Sequence, residues 1–101
     1  MIARIWHATA TAEGAAAYER HFAESVLPAL RSVEGHRGAY LLRRDGDGQV
    51  ELQVMTMWDS WETIQGFAGA EVSRAVVEPA AEAALTGFDT TVSHHTVVAS
   101  G

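Results

Sequence analysis

At 101 residues the chain has room for one domain with one modest core. Seven arginines, no lysine and thirteen acids give a formal net charge of -6, which excludes the basic footprint that a nucleic-acid backbone requires; the absence of cysteine excludes disulfides, thiolate nucleophiles and Cys-ligated zinc or iron–sulfur centres. Hydrophobic residues make up 48% and charged residues 20%, so the chain should fold, yet it has too little charge to cover a lone small domain and is expected to bury apolar surface against a partner.

Residues 2–9 predict a first strand with both faces covered, because neither Ile2, Arg4, Trp6 and Ala8 nor Ala3, Ile5, His7 and Thr9 forms a cleanly polar set. Thr9 or Thr11 is placed to cap a helix over 12–31, whose apolar stripe is Tyr18, Phe22, Val26, Ala29 and Val33. Pro28 should bend or end its regular part, since proline lacks the N–H that the preceding turn needs. Gly35 to Gly38 leads into a second strand over 39–44. Asp45-Gly46-Asp47-Gly48 then reads as a hairpin turn, glycine accepting positive φ and aspartate bonding local amides. It lacks the later ligands of a calcium loop.

The returning strand over 49–58 alternates Val50, Leu52, Val54, Thr56 and Trp58 with Glu51, Gln53, Met55 and Met57. Asp59 or Ser60 caps a second helix from Trp61 to Gly69, with Ile64, Phe67 and Ala68 inward. A short turn over 72–77 is closed by Pro79, residues 80–85 suit either a helix or a compact connection, and 88–98 predict a last strand rich in threonine and valine. The order is β-α-β-β-α-β, an α+β ferredoxin-like domain spanning 1–101 with a four-stranded antiparallel sheet and helices on one side. Apolar residues on both strand faces predict a homodimer that covers the open face.

No nucleophile elbow, zincin, P-loop or dinucleotide motif is present. His94 and His95 are adjacent on a strand, leave from opposite faces and cannot chelate one metal together. His7 lies on a strand that this topology can set beside the last one, so it can pair with either; no further ligand appears, and no metal is expected. His7, His94 and His95 are thus the candidate proton-transfer residues. Trp6, Tyr18, Tyr40, Trp58, Trp61 and Phe67 are either core packing or the walls of a cavity for a planar molecule, with Trp61 suited to its mouth. Arg43 and Arg44 can meet an anion or form local ion pairs. The segment Met1-Ile2-Ala3-Arg4 lacks the basic region and apolar core of a signal peptide, and charge interrupts each long apolar stretch; a cytoplasmic location without membrane contact is expected.

Met1 to His7 followed by a long helix, and Met57-Trp58-Asp59-Ser60-Trp61-Glu62-Thr63-Ile64-Gln65-Gly66-Phe67-Ala68-Gly69, resemble the antibiotic-biosynthesis monooxygenase-like superfamily over nearly the whole chain. The resemblance implies a ferredoxin-like subunit in a homodimeric α+β barrel, with a ligand cavity between sheet and helices. It also implies one of two chemistries, cofactor-independent oxygenation of aromatic polyketides and quinol-like compounds or haem degradation. The haem-degrading branch carries an Asn on the first strand, a Trp on the second helix and a His haem ligand one short turn later. Those positions are Trp6, Phe67 and Val77 here, and Val77 cannot ligate iron. The expectation is a monooxygenase of a small aromatic or polyketide-like compound that needs no cofactor. A non-catalytic dimeric binding or structural domain, and an isomerase or cyclase beginning with the same deprotonation, stand beside it.

Overall fold

Strict alternation along two long strands decides which side of the sheet the helices cover. In the computed structural model, which describes all 101 residues, β1 (Ile2–Ala10) pairs antiparallel with β3 (Val50–Trp58) along its whole length, from Ile2 opposite Trp58 to Ala10 opposite Val50. Ile2, Trp6, Ala8, Ala10, Val50, Leu52 and Trp58 therefore share one face and are buried on it. β2 (His36–Asp45) adds to the far edge of β3, while β4 (Gly87–Phe88) and β5 (Ser93–Thr96) both pair with the free edge of β1, giving the order β2-β3-β1-β4 with β5 beside β1.

The ferredoxin-like β-α-β-β-α-β order is present, but two expectations need correction. The sheet has five strands rather than four, because the predicted last strand is broken: residues 90–92 leave β1 and hydrogen-bond to 73–75 through Ala75 N to Thr90 O and Val92 N to Ser73 O. The sheet is also open, not an α+β barrel. β2 forms one edge and the short β4 and β5 form the other, and they do not meet, so nothing closes the hydrogen-bonded ring that a barrel requires.

On the covered face, Thr11 caps α1 (Ala12–His21) by accepting from Gly14 N at 3.0 Å. A wider π turn (Phe22–Val26) joins it to α2 (Leu27–Arg31), whose second residue is Pro28. The missing N–H of Pro28 and its ring are incompatible with an undisturbed α ladder, and the chain absorbs the break in that turn. Gly14 lets α1 approach α4 (Pro79–Ala84) closely: a Cβ there would collide with the Ala84 carbonyl. Ser60 and Thr63 form a reciprocal capping box on α3 (Trp61–Ala68).

The buried residues form two clusters. One joins α1 and α4 to the sheet through Trp6, Ala15, Tyr18, Phe22 and Leu52; the other joins α2 and α3 to it through Ile2, Leu30, Trp58 and Ile64. Between them the apolar rows are interrupted by two polar residues that face each other across the strands, Arg4 and Thr56. That interruption is where the interior stays unfilled.

Candidate ligand cavity

A cavity of about 130 Å³ lies over Arg4 and Thr56, between the sheet and the helices. Trp6 forms one wall, its Nε1 donating to Asp89 O at 2.7 Å and its ring 6.0 Å from that of Tyr18. Phe67 forms another, backed by Trp58 with ring centroids 5.1 Å apart. The roof is the segment from Ala75 to Glu78, tied down by the pairing of 73–75 with 90–92.

Three polar side chains reach this space besides Thr56 and the wall residues. His21 follows Tyr18 by three residues and so points the same way, and its Nε2 is buried with no hydrogen-bond partner. Glu78 stands at the N-terminus of α4 without capping it. Burial, and then the nearby Glu78 carboxylate, push the Tyr18 phenol up to about 12, so it is neutral at any physiological pH. Arg4 is only 5% exposed. It donates through Nη1 to Val72 O (2.5 Å) and His94 Nε2 (3.0 Å) and through Nη2 to Arg74 O (2.8 Å), while its guanidinium carbon lies 5.9 Å from the Phe67 ring centroid. Burial lowers its pKa from the ordinary arginine value, which still leaves it charged.

Of the residues singled out in the sequence, Trp6, Tyr18 and Phe67 meet at the cavity. Trp58 is fully buried behind Phe67, with Nε1 donating to Thr56 Oγ1 at 2.8 Å. Trp61 is half exposed and stands edge-on to His94, 4.9 Å between centroids. Tyr40 lies on the uncovered face of the sheet, 58% exposed.

The histidines separate as strand geometry requires. His94 is opposite Arg4 and His95 opposite Ala3, so they leave from different faces. As acceptor from Arg4, His94 Nε2 carries no proton; burial, then Arg4 and His95, hold its pKa below the usual imidazole value. His95 bonds Ser93 Oγ on the uncovered side. His7 is on that side too, its Nδ1 3.7 Å from Asp89 Oδ2, and lies four residues along β1 from Ala3, roughly 13 Å, too far to pair with His95. No group of three His, Asp or Glu side chains is placed to hold a metal. Arg43 bonds Asp45 and Glu19, and Arg44 stands 3.9 Å from Glu51. A second, more open depression of about 590 Å³ lies around His7, Arg44, Glu51 and Gln53, and most of its lining residues are polar or charged where those of the first are hydrophobic.

Arg4, His21 and Glu78 are cavity residues that do not stand out in the sequence. For His21 a signal was present, its spacing of three from Tyr18 on one helix. Arg4 had only its place in an otherwise apolar alternation, and Glu78 had none.

Fold and cavity together define a small ferredoxin-like domain with an aromatic-walled cavity between sheet and helices. The chain belongs to the antibiotic biosynthesis monooxygenase family, whose model matches residues 1–79. Among solved structures it is similar to the haem-degrader MhuD from Mycobacterium tuberculosis with two haems in its active site, at 25% identity and TM-score 0.66, covering 100% of this chain and 99% of that one. A mutant of MhuD with two manganese protoporphyrin IX molecules per active site gives 25% identity and TM-score 0.67, covering 100% and 98%. A Bacillus cereus protein assigned to the antibiotic biosynthesis monooxygenases shares the fold at 19% identity and TM-score 0.63, covering 99% and 93%. No curated protein matches the chain. Trp6, Phe67 and Val77, the residues that the sequence resemblance sets against the Asn, Trp and His of the haem-degrading branch, all line this cavity. No helix is long and apolar enough to cross a membrane.

Proposed function

We propose that the chain is a cytoplasmic, homodimeric monooxygenase that oxidises a small phenolic or polyketide-like compound with dioxygen and no cofactor. The observation that carries this reading is the buried, unpartnered Nε2 of His21 beside the Trp6 and Tyr18 rings of the cavity. Removal of a phenolic proton by that nitrogen leaves an electron-rich anion, which passes one electron to dioxygen; the radical pair combines to a peroxide and loss of water leaves a quinone. One oxygen atom enters the product and the other leaves as water, so substrate and dioxygen balance quinone and water. The aromatic walls hold the ring plane and exclude solvent.

Haem, which MhuD binds, does not fit the residues present. The sequence resemblance sets Val77, which cannot ligate iron, against the iron ligand, and a cavity of about 130 Å³ is well below the ~300–1,000 Å³ that drug-sized ligands already occupy. A single ring or a compact fused pair is the better match.

The dimer reading rests on the uncovered sheet face, where Ile5, Tyr40, Leu42, Met55 and Met57 form an apolar patch and Arg44 lies beside Glu51. A two-fold related copy offers the same apolar patch and a matching pair of opposite charges, so the occupant is a second copy of this chain.

Oxygen consumption and product mass, measured with a panel of hydroquinones and polycyclic phenols in the absence of flavin and nicotinamide, test the activity. His21→Ala should lower turnover by about 10² to 10⁴. Alanine variants of His7, His94 and His95 are the comparison, and a larger fall at one of them would move the proton step there. Product without oxygen uptake would make the chain an isomerase or cyclase, and no product across the panel would leave a binding domain.

A further inference from the structure

Arg4 is the one arginine whose side chain is buried, and it has no carboxylate within ion-pair distance. All of its acceptors inside the protein are neutral: two main-chain carbonyls, Val72 O and Arg74 O, and the unprotonated Nε2 of His94. A cation taken out of water is strongly disfavoured unless something neutralises it, and dipoles do so only in part. Glu78, the other charged residue on the cavity wall, acts on the Tyr18 phenol and makes no ion pair with Arg4.

The donors that remain are specific. A guanidinium has five N–H groups. Three are used, and those left are one on Nε and one on Nη2. Arg37 grips Asp59 on the surface through the same two nitrogens, Nε to Oδ1 at 2.6 Å and Nη2 to Oδ2 at 2.7 Å. Arg4, which lines the cavity, thus keeps without a partner in the protein a donor on each of the two nitrogens that this chain elsewhere uses to hold a carboxylate. Phe67 lies against the guanidinium, and Trp6 and Tyr18 line the same space, so an acid group at Arg4 would put an attached ring among aromatic walls.

We propose that Arg4 is the anion receptor of this cavity and that the ligand is a small aromatic carboxylic acid, its carboxylate bridging Nε and Nη2 of Arg4 and its ring lying between Trp6 and Phe67. The assignment rests on the reading that the ligand occupies this cavity and names its chemical class; it does not require that the ligand be oxidised. The chain's net charge of -6 repels anions at long range, so the preference must come from this local contact rather than from steering.

The test is binding of a matched pair, 4-hydroxybenzoate and 4-hydroxybenzamide, by calorimetry and by tryptophan fluorescence at pH 7.5. The two differ in charge and little in shape. The acid should bind the unaltered protein at least about 10-fold more tightly than the amide. Arg4→Gln should lower the affinity for the acid far more than that for the amide and so abolish the preference, and Arg4→Lys should keep part of it, because the charge survives and the fork does not. Equal binding of acid and amide by the unaltered protein overturns the proposal, as does binding of neither at millimolar concentration; both arms stand even if the Arg4 variants do not fold. An equal fall for both ligands in Arg4→Gln also overturns it, since Arg4 would then only be pinning Val72 and Arg74. Oxygen uptake is scored separately: acid preference without turnover retires the oxygenase and keeps the receptor, and turnover without acid preference does the reverse.

Discussion

The two faces of the sheet are made from the same strands, residue by residue in alternation, and they differ in kind. On the helix side Trp58, Leu52 and Ile64 are sealed from solvent, and the two polar residues in their midst, Arg4 and Thr56, border the cavity. On the other side Tyr40 and Leu42 are 58% and 43% exposed beside His7, Arg44 and Glu51, and the depression there is open. A polar group on the outer side has water to satisfy it. One on the inner side must find a protein partner or a ligand, which is why Arg4, His21 and His94 carry more information about function than His7 or His95.

The largest test of this contrast is Trp58→Ala. The side chain is fully buried, touches Phe67 and His36, and gives its indole N–H to Thr56, so its loss leaves a cavity and an unpartnered hydroxyl. A fall of roughly 3–5 kcal/mol in urea unfolding is expected; less than about 1 kcal/mol would mean that the inner face is not the core. Gly14→Ala comes next. The added methyl meets the Ala84 carbonyl and must push α1 away from α4, at about 1–3 kcal/mol by the same measurement.

A pH titration of stability sharpens the comparison further. Burial first of all lowers the pKa values of His36 and His94; for His36 a backbone contact with Gly38 opposes the shift, and for His94 the neighbouring Arg4 and His95 add to it. Between these lowered values and 6.5 the unfolded chain binds protons that the folded chain does not, so stability rises with pH and should fall as pH drops from 7 to 5. His94→Gln, which keeps an acceptor for Arg4 and cannot titrate, should flatten that slope in denaturant midpoints measured across the interval. An unchanged slope would remove His94 from the account.

The smallest folding effect is expected on the outer face. Leu42→Asp should change the stability of the single chain by no more than about 0.5 kcal/mol, yet at micromolar concentration it should bring the sedimented mass from two chains to one. An unaltered mass of two chains would place the second copy elsewhere.

Periodicity and turn chemistry are local, and the features they set were legible in the sequence: β1 and β3 with their two faces, the Asp45 to Gly48 turn, a helix cap at Asp59 or Ser60, the break near Pro28 and the β-α-β-β-α-β order. The same alternation places Trp6 on the inner side, and the helical spacing places Tyr18 and Phe67 there. Features that depend on contacts distant in the chain were not legible. Residues 90–92 pair with 73–75 instead of continuing along β1, so one predicted strand became two and a roof formed over the cavity, while the edges at β2 and at β4 and β5 never meet and leave the sheet open. Arg4 reads in sequence only as one charge in the alternation of a strand covered on both faces, and it is Val72, Arg74 and His94, 68 to 90 residues away, that supply its partners and leave it facing a space without a counter-ion. Local pattern fixes which way a side chain points; whether it meets water, a neighbour or an empty cavity is decided by segments that the pattern cannot bring together.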